Sequence, residues 1–161
     1  MNTWDIEHTC TFTGHKPEHL ALPEEQVKEW LEEQIKRAAD EGYKDFISGM
    51  QRGVDLWAAE TVLKLIRKDR QIRLIAACAF RGMDEDWDLD WRERYYHFLT
   101  HAEWVYYISD HPDSKAYLIR SHWMVDRASR LIAVYTGAPG GTKETIEFAR
   151  EKKRDIVLIE R

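Results

Sequence analysis

The sequence predicts an α/β fold in three layers, a mainly parallel sheet of about six strands with helices on both faces. Three observations carry this. Short runs of β-formers alternate with helical patterns along the whole chain, and Ile72 to Ala79 is almost unbroken apolar sequence, as in a strand buried on both faces. Glycine-bearing turns stand at three of the points where a strand hands over to a helix. Right-handed crossovers between parallel strands then distribute the helices over both faces.

Each element follows from local composition. Thr9 to Thr13 is rich in β-formers and stops at Gly14, with Pro17 and Pro23 punctuating the loop beyond. Pro23-Glu24-Glu25 opens a helix with an acidic first turn; Val27, Trp30, Leu31, Ile35 and Ala38 share a face, and Gly42 stops it. Lys44 to Ser48 is a strand and Val54 to Lys68 a helix, followed by the buried strand at Ile72. The acidic stretch Asp84 to Asp90 leads into a helix ending near His101, and Glu103 to Ile108 is the fourth strand. Ala116, Ile119, Trp123, Met124 and Ala128 place the next helix. Arg130 to Thr136 is a strand, Thr142 is read as the cap of a helix through Ile146 and Ala149, and Asp155 to Ile159 is the sixth strand.

With 161 residues and 43% hydrophobic content, one domain over residues 1–161 can bury its own core. A net charge of -5 with both signs mixed argues against coating nucleic acid, although a local basic pocket stays open. Cys10 and Cys78 sit in buried strands without a CxxC pair, which fits a reducing cytoplasm. No leader and no apolar run near the roughly 20 residues of a membrane span is expected. Walker, GxGxxG and nucleophile-elbow motifs are all missing, which argues against ordinary NTPase, dehydrogenase and serine-hydrolase chemistry. Seven tryptophans leave surface to spare for a homodimer.

The three turns are the candidate site, because first-turn amides of a helix lack intrahelical partners and favour negative charge. The first holds Gly14, His15 and Lys16; the second Ser48, Gly49, Met50, Gln51, Arg52, Gly53 and Asp55; the third Gly137, Gly140, Gly141 and Thr142. Gly49 and Gly53 either admit a phosphate to the backbone or serve a turn and close helix packing. Arg52 and Lys16 can hold phosphate, or be solvated cations. Asp55 complements the helix dipole or accepts a ribose hydroxyl, and with Glu60 is a weak candidate for activating water. His15 can bond phosphate or shuttle a proton. Arg81 follows a strand on the ligand side, and Trp87 either stacks on a base or staples a helix.

Other signals are weaker. Asp84, Asp86, Asp88 and Asp90 partly imitate a calcium loop, but Leu89 and Tyr95 stand where Gly and Glu are needed, so the stretch is read as a solvated helix start and no metal site is assigned. His97, His101, His111 and His122 show no metal-ligand spacing. Arg120 and Asp126 either pair through neighbouring helical turns or edge the cleft.

Ser48-Gly49-Met50-Gln51-Arg52-Gly53-Val54-Asp55 resembles the SG-x-A-x-GID signature of the superfamily of Rossmann-like nucleotide-binding proteins named for DprA/Smf and lonely-guy, often called SLOG. Thr11 to Pro17, Trp123 to Asp126 and Gly140-Gly141-Thr142 extend the resemblance over nearly the full chain, closest to the YpsA-like branch. The resemblance implies a Rossmann-like fold whose pocket takes a nucleotide or nucleotide-derived ligand such as NAD, ADP-ribose or a nucleoside phosphate. Lonely-guy phosphoribohydrolases use a PGG-x-GT-x-x-E motif whose Glu acts in cleavage; aligned on Thr142, this chain has Thr145 at the acidic position and Ala138-Pro139 in place of the paired glycines.

The expectation is therefore a sensor or regulatory module that binds such a ligand at the rim of the sheet. A nucleotide-processing hydrolase, cleaving an N-glycosidic or phosphate bond, and a DprA-like single-stranded DNA binder are the alternatives.

Overall fold

The computed structural model describes residues 4–160. The elements in chain order are β1 (Thr9–Gly14), α1 (Glu24–Asp40), β2 (Asp45–Ser48), α2 (Val54–Arg67), β3 (Arg73–Cys78), α3 (Leu89–His101), β4 (Trp104–Tyr107), α4 (Lys115–Asp126), β5 (Arg130–Tyr135), α5 (Gly141–Glu151) and β6 (Asp155–Glu160), with short 3-10 turns at Ile6–His8 and Pro17–His19. The strands form one sheet in the order β4-β3-β2-β1-β5-β6, and every pairing is parallel.

Side-chain alternation along the central strands builds two cores. Cys10 and Phe12 of β1, Phe46 of β2, Leu74 and Ala76 of β3, and Ile132 and Val134 of β5 meet Leu31, Ile35, Val62 and Tyr95 of the helices. On the other face, Leu131 and Ala133 pack with Val125, Ile146 and Ala149, while Ile47, Ile75 and Ala77 pack with Met124. Phe12 and Phe46 are fully buried with ring centroids 6.2 Å apart, so truncating either to Ala costs about 3–5 kcal/mol. Core packing of this quality holds the strand ends still, and the strand ends carry the turns.

Two boundaries differ from expectation. The acidic stretch ahead of α3 is turn rather than helix, since Asp84 is buried against Arg92 (3.3 Å) and the helix begins only at Leu89. Thr142 is not the cap of α5: Gly140 holds that place with φ 132°, and Thr142 is the second helical residue. No helix among the described residues is long and apolar enough to cross a membrane.

Candidate functional site

Beyond the carboxyl ends of β1, β2 and β5 lies a cleft of about 510 Å³, within the size range of small-molecule sites. Its position follows from connectivity. The chain steps from β1 through β2 and β3 to β4 in one direction, then returns to place β5 on the other side of β1. At such a reversal the connections leave in opposite directions and a crevice stays open between them. Gly14, His15 and Lys16 enter it from the first turn, Gln51 and Asp55 from the second, and Gly140, Gly141 and Thr142 from the third; Tyr117, Arg120 and Ser121 close it from α4.

The second turn is held by its own side chains. Ser48 Oγ donates to the Asp55 carbonyl (2.7 Å) and accepts from the Met50 amide (3.1 Å), so this hydroxyl is consumed within the turn. Met50 adopts φ 63° and is fully buried. A Cβ on Gly53, whose φ is 93°, would lie 2.6 Å from the His15 carbonyl, and one on Gly14 would lie 2.4 Å from Val54. Those two glycines therefore let the end of β1 approach the start of α2. The two turns become one rigid wall.

Behind that wall sit two buried charges. Asp55 is 6% exposed and accepts from the Gln51 amide through Oδ2 (3.4 Å); burial pushes its carboxyl up to about 6, against the opposing pull of Arg120 and that hydrogen bond. Arg120, also 6% exposed, donates through Nη1 to the Gly49 carbonyl. Its Nε is buried and has no hydrogen-bond partner. A buried guanidinium N–H left open costs free energy unless something else accepts from it.

His15 is biased toward its neutral form. Its Nε2 accepts from the Thr136 amide (3.1 Å), its ring stacks near Tyr135 (5.7 Å between centroids), and burial, with His19 nearby, lowers its pKa. An imidazole fixed in this way favours the tautomer with the proton on Nδ1. Lys16 is exposed at the mouth and Glu144 adds one carboxylate to the lining. The helices α2 and α5 both begin at glycines without a side-chain cap; in α2 the Leu56 amide of the first turn is taken by the Gln51 carbonyl (3.1 Å), whereas α5 opens on the cleft through Gly141 and Thr142.

Other expected residues lie elsewhere. Arg52 points away from the cleft and clasps Glu18 through both Nη atoms (3.1 and 2.9 Å). Ser48, Gly49, Met50 and Gly53 form the turn behind the lining rather than the lining itself, and Gly137 stands with φ 93° in the open third loop. Glu60 lies outside the cleft on α2, bound to Lys28 (2.7 Å), because its helical position faces α1. Arg81 is exposed beside β4, with its guanidinium 4.0 Å from the Tyr107 ring centroid. Trp87 packs edge-on against Tyr95, the staple rather than the stacking platform. Arg120 edges the cleft while Asp126 lies near Lys152 (3.9 Å). Tyr117 was not singled out in the sequence; its spacing of three from Arg120 on one helix face was the available signal.

An all-parallel sheet with helices on both faces, and a crevice at its switch point walled by glycine turns, defines a Rossmann-like α/β protein. A model described as the YspA SLOG family (YpsA) matches residues 10–159, and the chain belongs to that family. A UPF0398 protein of Halalkalibacterium halodurans is 29% identical over 162 residues, covering 92% of this chain and 86% of that protein. Another from Bacillus cereus strain B4264 is 28% identical over 149 residues, covering 87% and 81%. Among solved structures, DNA processing protein A (DprA) from Streptococcus pneumoniae is similar with a TM-score of 0.65 and 17% identity over 96% of this chain, which spans 51% of that one. DprA from Helicobacter pylori, described for its single-stranded DNA binding mode, gives 0.67 and 14% over 98% of this chain and 67% of that one. Both likenesses are of fold.

Proposed function

We propose that the protein binds a nucleotide-derived ligand carrying phosphate, of the NAD or ADP-ribose type, in the cleft between the three turns, as a sensor or regulatory module. The observation that carries this is Arg120: a buried guanidinium lining the cleft with an unpartnered Nε, in the same cleft as the uncapped start of α5. Charge-assisted bonds from guanidinium and first-turn amides suit phosphate oxygens, and Tyr117 offers a ring to a base. Calorimetry with NAD, ADP-ribose and AMP tests it. Saturable binding at micromolar to millimolar concentration supports the reading; no heat from any phosphate-bearing ligand at millimolar concentration sinks it.

A hydrolytic role rests on Asp55 alone, since a buried carboxyl titrating near 6 at the cleft suits general acid–base work. Nucleotide turnover abolished by Asp55→Asn would establish it. A single-strand binder, as described for the Helicobacter pylori protein, would instead shift a labelled oligonucleotide in a salt-dependent manner.

A further inference from the structure

The edge of the sheet farthest from β6 is unusually apolar. Trp104, Val105 and Tyr106 of β4 are 42%, 36% and 36% exposed. Topology explains it. The helices linking β1 through β4 cover one face, whereas α4 and α5 cover the opposite face nearer β1, β5 and β6. At β4 that second face is met only by the rim of α4 and by single side chains: Tyr106 has its ring centroid 5.2 Å from Trp123 of α4 and 6.0 Å from Trp4, and the Arg73 guanidinium lies 5.0 Å from the Trp104 ring centroid. Edge strands are normally blunted by lysine, proline or a bulge, and Trp104-Val105-Tyr106-Tyr107 has neither residue.

We propose that a second copy of this chain pairs antiparallel along β4 about a two-fold axis. The reason for a second copy rather than another partner is that the patch is complementary to itself. A two-fold axis perpendicular to the sheet keeps each face on its own side. Centred on Val105, it sets Trp104 of each copy opposite Tyr106 of the other, two aromatic cross-strand pairs of the kind that stabilise sheets. On the opposite face the same register sets Glu103 opposite Tyr107, over whose ring Arg81 lies at 4.0 Å. Glu103 and Arg81 are both exposed and, among the described residues, neither is in an ion pair. Arg73, whose charge reaches Glu103, is already held by Asp45 at 2.7 and 3.1 Å. Two Glu103 to Arg81 contacts therefore close symmetrically, as an isologous interface requires. A four-residue strand contributes less than the roughly 1,200–2,000 Å² of a stable interface, so the dimer is reversible and depends on concentration.

Sedimentation velocity of the full chain from about 1 to about 500 µM reads the equilibrium directly. The expected result is a shift from monomer to dimer mass across that range. Val105→Lys weakens dimerisation at least about tenfold. Glu103→Arg and Arg81→Glu each weaken it, and the two together restore it; because both side chains are exposed, the variants retain the wild-type circular dichroism and, at about 1 µM where the chain is monomeric, its melting temperature. A monomer at every concentration, a dimer indifferent to Val105→Lys, or a double swap weaker than both single variants overturns the proposal.

Discussion

Asp55 and Arg120 meet on either side of Gly49. A Cβ on that glycine would lie 2.9 Å from Asp55 Oδ2 and 2.7 Å from Arg120 Nη1, so the missing side chain is what lets the two charges share one buried corner. They do not form a close ion pair; Arg120 spends its Nη1 on the Gly49 carbonyl instead. The carboxyl is thus left only partly compensated, and burial wins over the arginine's pull.

Stability should therefore fall with pH through this group. The Asp55 carboxyl rises from 3.8 when free to about 6 when folded, so the folded state holds the proton more tightly. Its contribution is fully present below pH 4 and is lost as pH rises through 6, in total about 3 kcal/mol. Thermal melts of wild type and Asp55→Asn at steps across that window measure it. The variant should gain on the wild type as pH rises; a constant difference between the two would refute the assignment.

Structural and ligand-facing glycines should separate cleanly. Gly53→Ala places a Cβ against the His15 carbonyl at a strained φ of 93°, and should cost about 2–3 kcal/mol whether or not ligand is present. A Cβ on Gly141 meets nothing within 4 Å and has no positive φ, so Gly141→Ala should leave the melting temperature almost unchanged. If the proposed ligand binds there, it should still weaken binding of NAD or ADP-ribose, because the added methyl would enter the cleft at the third turn. Denaturation and calorimetry on the two variants give opposite patterns. Equal effects in both assays would mean that the third turn does not face the ligand.

The sheet and its order of elements were legible because the apolar strands are short, nearly continuous and separated by glycine or proline. The convergence of three turns was legible for the same reason. What could not be read was which side chain within a turn faces inward. Arg52 and Glu18 are 34 residues apart, and nothing local says that they clasp. Arg120 is a single cation in an otherwise ordinary helix; only the return of β5 beside β1 brings α4 over the cleft. Ser48 and Gly49 looked like ligand contacts because a turn that shapes a pocket and a turn that touches its ligand have the same composition. The edge position of β4 depends on strand order, which periodicity does not encode.

That difference between the two arginines can be measured. Arg52 is held by a partly exposed Glu18, a contact worth less than about 1 kcal/mol, so Arg52→Ala should change ligand affinity no more than about twofold to threefold. Arg120→Ala should lower it by at least about tenfold, and Arg120→Lys should not restore it, because a point charge cannot reproduce the planar fork. Titration of ADP-ribose into the three variants decides the matter. A larger loss in Arg52→Ala than in Arg120→Ala would return the second turn's arginine to the site.

Binding itself should weaken as Asp55 ionises. NAD is the informative ligand, because its pyrophosphate stays fully ionised across the titration of this carboxyl and any pH effect must come from the protein. Two unit charges about 5–6 Å apart repel by about 1–3 kcal/mol at effective dielectric constants between those of a protein surface and water. With Asp55 lining the cleft and titrating near 6, affinity for NAD should be about tenfold weaker above pH 7 than below pH 5. Loss of charge from a protonated His15 would act in the same direction, but its Nε2 accepts from the Thr136 amide and burial lowers its pKa, which favours the neutral ring, and the Asp55→Asn comparison isolates the carboxylate. Asp55→Asn should flatten the profile at the tighter value. A wild-type profile that is flat, or one whose slope survives in Asp55→Asn, would show that the phosphate sits away from this corner of the cleft.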